Sequence, residues 1–68
     1  MKKTPTNIRL RDLRIKKGLT QYQLARILGF RHNTAISRYE TGRKRPSLET
    51  AQRIALALGA TVEEVFLP

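Results

Sequence analysis

Four glycines, Gly18, Gly29, Gly42 and Gly59, cut this chain of 68 residues into short segments, and each glycine follows a stretch with helical character. A glycine just past a helix end takes the left-handed conformation that closes the last turn without side-chain strain. Leu19, Phe30 and Ala60 follow three of the four directly, which supplies the apolar contact that such a closed end favours. The start signals are in phase with these stops. Thr20-Gln21-Tyr22-Gln23 and Thr61-Val62-Glu63-Glu64 both fit the reciprocal capping box, a Thr with Gln or Glu three residues later. Ser47, after Pro46, can cap a further segment with Glu49 favourable in its first turn, and Thr6-Asn7 offers a start for the first. The pattern predicts helices near 7–17, 20–28, 33–41, 47–58 and 61–67.

Apolar spacing agrees with helices, and no period-two alternation competes. Leu10 and Leu13 share a face in the first segment, as do Leu24, Ala25, Ile27 and Leu28 in the second. Ile36 and Tyr39 follow in the third, Ile54, Ala55 and Leu58 in the fourth, and Val62, Val65 and Phe66 in the last. Helices this short are unstable alone, so their faces must share one core. Tyr22 and Tyr39 read as core or half-buried helix residues.

Staples are excluded. There is no cysteine and one histidine, His32, so neither a disulfide nor a Cys/His metal site can form, and no metal or cofactor is expected. The longest apolar run, Ile54 to Leu58, is far below the roughly 20 residues a bilayer requires, and no signal peptide follows Met1. The expectation is a soluble, cytoplasmic protein with no membrane partner. No phosphate-binding glycine loop occurs, and no Ser-His-Asp grouping is visible beside the single aspartate, Asp12. An enzyme is not expected.

Charge supplies the positive evidence. The formal net charge is +9, but it is unevenly spread. Residues 1–46 hold 13 basic and two acidic side chains, a net of +11, whereas residues 47–68 hold one basic and three acidic, a net of −2. One end of the chain is built to meet a polyanion.

The central stretch Leu19 to Glu40 reads as a capped helix, a glycine turn at Gly29, and a second short helix, with Ala25 small enough for two helices to cross closely. This resembles the helix-turn-helix of the Cro/phage-repressor type, the XRE family of DNA-binding domains. The resemblance covers about residues 8–67 and is carried by Leu10, Leu13-Arg14, Gly18-Leu19-Thr20-Gln21, Leu24-Ala25, Gly29, Ile36-Ser37-Arg38-Tyr39-Glu40, Gly42, Arg45-Pro46-Ser47 and Ala57-Leu58-Gly59. It implies an all-α, compact five-helix lambda-repressor-like domain over residues 8–67, preceded by a flexible basic arm, 1–7. It also implies sequence-specific binding of double-stranded DNA with the third helix in the major groove.

By the same resemblance Asn33, Thr34, Ser37 and Arg38 would meet bases, a role their chemistry suits, since Asn pairs with adenine and Arg with guanine. Gln21 would contact a phosphate, and Arg43, Lys44 and Arg45 would follow the backbone. Arg14 and Glu40 would form a buried pair tying the first helix to the third. One departure stands out: between Gly29 and Ile36 the chain has one residue more than the usual spacing. Either His32 or Asn33 could then cap the third helix, and if Asn33 does, Arg31 and His32 would project toward DNA instead. The implied function is a small transcriptional regulator, a repressor before an activator. It would bind a pseudo-palindromic site as a homodimer, and Ala51, Ile54, Val62, Val65 and Phe66 read either as intramolecular core or, by the resemblance, as part of a dimer contact. The alternative is an antitoxin-type regulator that binds a partner protein as well as DNA.

Overall fold

A computed structural model describes residues 7–66, and these form five helices: α1 (Ile8–Lys16), α2 (Gln21–Ile27), α3 (Thr34–Glu40), α4 (Leu48–Leu58) and α5 (Val62–Phe66). No strand occurs among the described residues. Both capping boxes form. The Gln23 amide donates to Thr20 Oγ1 at 3.0 Å while Gln23 Oε1 accepts from the Thr20 amide at 2.8 Å. At α5 the Glu64 amide donates to Thr61 Oγ1 at 3.1 Å and Glu64 Oε1 accepts from the Thr61 amide at 2.8 Å. Ser47 caps α4 by accepting from the Thr50 amide. Asn7 caps α1 through the Leu10 amide, and its own amide donates to the Glu40 carbonyl at 2.9 Å. Asn7 is thereby part of the folded unit, not the last residue of the expected arm; residues 1–6 of that arm lie outside the described residues.

All four glycines have positive φ. At Gly29 the angle is +84°, and a methyl group built there would meet nothing within 4 Å. Only the backbone conformation requires glycine at this turn.

The helices enclose one core. Leu10, Leu24, Ala25, Ile36 and Ile54 are fully shielded, joined by Leu28, Tyr39, Ala55, Leu58 and Val65. α1 packs on α3 and α5, α2 on α3, and α4 on α5. The buried face of α1 is completed by an arginine: Leu10 and Arg14 are buried, whereas Ile8 and Ile15 point outward. Arg14 and Glu40 form the expected pair, with Nε to Oε2 at 2.5 Å and Nη2 to Oε1 at 3.2 Å. Arg14 Nη1 also donates to the Leu19 carbonyl at 2.8 Å. One guanidinium thus holds the entry to α2 and the end of α3. A second tie was not foreseen: Arg53 Nη2 on α4 donates to the Leu28 carbonyl at the end of α2, at 2.6 Å.

Two apolar expectations change. Tyr22 and Ile27 are more than half exposed on α2, because the helix buries only the stripe of Leu24, Ala25 and Leu28. Ala51, Ile54 and Val65 are consumed by the intramolecular core, which leaves only the half-buried Val62 and Phe66 of the five residues considered for dimer contact.

Gly29→Ala should destabilise the domain by about 1–2 kcal/mol, the cost of a left-handed backbone for a residue with a Cβ; a urea melt measures it. Glu40→Ala should cost about 3–5 kcal/mol by leaving Arg14 buried and unpaired, which rivals the whole stability of so small a domain. Replacing both partners with Met and Leu should recover most of that loss. An unchanged melt for Glu40→Ala would mean the pair holds nothing.

Candidate nucleic-acid interface

α3 has seven residues, too few to be stable by itself. Its position is imposed by Ile36, Tyr39 and Glu40, which are buried on its inner face. The outer face is thereby set. Asn33, Thr34, Ser37 and Arg38 come together along one open groove, with Thr41 and Arg43 continuing it. Sequence reasoning named five of these six. The sixth, Thr41, stands at the C-terminal end of α3, where its hydroxyl donates to the Ser37 carbonyl at 2.9 Å.

The loop after α3 is tied back to the helix. The amides of Arg43 and Lys44 donate to the Arg38 carbonyl, at 2.9 and 3.3 Å. This fixes the root of the basic segment while the side chains of Arg43, Lys44 and Arg45 remain exposed. Arg31 and His32 are exposed in the turn before α3.

The question of the α3 cap has a specific answer. Asn33 occupies the cap position, but its side chain makes no capping bond. Its Nδ2 donates instead to Gln21 Oε1 at 3.2 Å. Gln21 Nε2 in turn donates to Glu40 Oε1 at 3.1 Å. Gln21, expected at a phosphate, therefore has its amide engaged inside the protein at both ends, with one N–H left over.

Electrostatically the face is one-sided. From Thr20 to Pro46 the sole carboxylate is Glu40, which is 4% exposed and neutralised by Arg14. Within that stretch no other carboxylate offsets Arg31, Arg38, Arg43, Lys44 and Arg45. No cluster of three or more His, Asp or Glu able to hold a metal occurs among the described residues, and no helix among them is long and apolar enough to cross a membrane.

Two short helices joined at a left-handed glycine, the second presenting a polar and cationic outer face beside a basic loop, define a helix-turn-helix DNA-binding domain. The sequence profile of the helix-turn-helix family matches residues 10–65, and the chain belongs to that family, in its Cro/phage-repressor branch of transcriptional regulators. It is 39% identical over 59 residues to an uncharacterised HTH-type transcriptional regulator of Archaeoglobus fulgidus, covering 87% of this chain and 83% of that one. It is 35% identical over 57 residues to the cryptic phage CTXphi transcriptional repressor RstR of Vibrio cholerae, covering 84% of this chain and 50% of RstR. Among solved structures it resembles the restriction-modification controller protein C.AhdI of Aeromonas hydrophila, with a TM-score of 0.79 and 35% identity over 88% of this chain and 89% of that one.

Proposed function

We propose that the chain is a repressor that occupies a pseudo-palindromic operator as a homodimer, with α3 of each copy in the major groove. The observation that carries the reading is the groove along α3. It gathers Asn33, Thr34, Ser37 and Arg38, four side chains able to read base edges, next to the basic loop. Arg43, Lys44 and Arg45 neutralise backbone phosphates in this reading, the spare N–H of Gln21 reaches another, and Arg31 and His32 flank the groove. The protein is a binding module, not an enzyme, and works at the nucleoid in the cytoplasm.

Repression follows from occupancy alone, since a bound domain blocks a promoter without touching polymerase productively. The similarity to RstR, a named repressor, supports that direction. Dimerisation is supported by the exposed apolar residues of the −2 half: Leu56 is 81% and Leu48 67% exposed on α4, with Val62 and Phe66 half-buried.

Selection from a random duplex pool tests the reading. The enriched sequences should contain two inverted half-sites with centres about one helical turn apart; a single unrepeated motif would contradict the homodimer. Arg38→Ala should cost roughly 1–3 kcal/mol on the selected site and relax one position. Arg45→Ala should weaken all sequences alike and flatten the salt dependence by about 0.9 log units per log unit of salt. Equal losses on every sequence from both variants would overturn sequence-specific recognition. A reporter driven by a promoter that contains the site should be silenced, and activation would reverse the assigned direction.

A further inference from the structure

α2 is seven residues long, and arginines from two other helices hold the backbone at its two ends. Taking α3 as the helix that meets bases, we infer that Arg53 on α4 is a positioning residue for sequence recognition. It fixes the end of α2, and through it the pitch of α3, without touching DNA.

The turn between the two helices leaves one carbonyl over. At the end of α2 the Gly29 amide donates to the Arg26 carbonyl and the Phe30 amide to the Ala25 carbonyl, at 3.0 and 2.8 Å. Those bonds close the helix, and Gly29 then turns the chain away in its left-handed conformation. A continuing helix would have paired the Leu28 carbonyl with an amide four residues on. Here it receives no backbone donor among the described residues. Arg53 Nη2 supplies the donor instead, at 2.6 Å. At the opposite end Arg14 Nη1 donates to the Leu19 carbonyl at 2.8 Å, just ahead of the Thr20 cap.

These two bonds do what the apolar contacts of α2 do not. Leu24, Ala25 and Leu28 are buried and decide which face of α2 turns inward. Apolar burial is non-directional, however, and sets the tilt of so short a helix only loosely. A charge-assisted hydrogen bond at each end fixes the tilt. α3 follows, since it packs on α2. The main contact of α4 is with α5, so the Arg53 bond is the one hydrogen bond among the described residues that joins α4 to the reading pair. The connection it anchors is the one that carries a residue more than the usual spacing, with Arg31 and His32 exposed in it. A longer connection gives its two ends more relative freedom unless its root is held. Arg53 itself does not line the α3 groove.

The test compares full-length wild type, Arg53→Lys and Arg53→Met on the selected operator duplex and on an unrelated duplex. Lysine keeps the charge but lacks the longer guanidinium fork, and methionine removes the charge as well. If wild type binds both duplexes alike, the reading of α3 fails and the role of Arg53 with it. Both variants should reduce the wild-type preference roughly 10-fold, about the worth of one good base contact. With Arg53→Lys the affinity for the unrelated duplex should stay within about 2-fold and the salt dependence should keep its slope. Equal losses on both duplexes, with a slope flattened by about 0.9, would make Arg53 a phosphate contact and overturn the proposal. If Arg53→Lys keeps the full preference, the proposal is overturned and the reading of α3 stands.

Nuclear magnetic resonance of the free wild-type protein needs no variant to fold. The Arg53 guanidinium should rotate slowly, and its Nη2 should show a scalar coupling across the hydrogen bond to the Leu28 carbonyl carbon. A freely rotating guanidinium would overturn the tie whatever the binding measurements report.

Discussion

The contact between the Arg14 guanidinium and the Glu40 carboxylate is the constraint on which the other elements depend. α3 is too short to hold its own conformation, and its apolar anchors, Ile36 and Tyr39, fix depth better than direction. A bidentate ion pair is directional. By joining Glu40 and the Leu19 carbonyl to one side chain of α1, it sets where α2 starts and where α3 ends. Burying two charges is costly, and an apolar substitute is often at least as stable. What the pair adds here is orientation of a reading surface, together with removal of the one negative charge that would stand against DNA.

That second role gives the sequence asymmetry its physical form. The basic half of the chain is not uniformly basic; it contains a carboxylate at the base of the reading helix. Had Glu40 been exposed, it would have repelled phosphates from the middle of the interface. Buried under Arg14, it contributes only its hydrogen-bond polarity. The acidic residues of the other half, Glu49, Glu63 and Glu64, lie in the first turns of α4 and α5, where carboxylates favour the helix start.

Local backbone chemistry was legible in the sequence. The left-handed glycines and the Thr20 and Thr61 capping boxes involve residues at most four apart, and the helices fall within about two residues of the spans they predict. The pairing of Arg14 with Glu40, and the groove residues Asn33, Thr34, Ser37 and Arg38, were legible only through the family resemblance. Facts that depend on how separate helices approach were not. Gln21 lies at the start of a helix and could have faced outward; only the arrival of Glu40 from α3 and Asn33 from the turn directs it inward. Arg53 drew no reading from the sequence; its bond to the Leu28 carbonyl exists only because α4 comes to rest against the end of α2. Ile27 fitted the apolar pattern, yet the core is too small to use every apolar side chain its helices present.

The linkage between Asn33 and the core also bears on how such a domain changes its target during evolution. Under the proposed reading, Thr34, Ser37 and Arg38 stand on the outer face without side-chain bonds to the ion-pair network, so exchanging them would alter recognition at little cost to folding. Asn33 belongs to that network. A lineage exploring new operators would find three letters of its recognition code freely editable. The fourth would be constrained, changing only when a compensating substitution at Gln21 accompanied it.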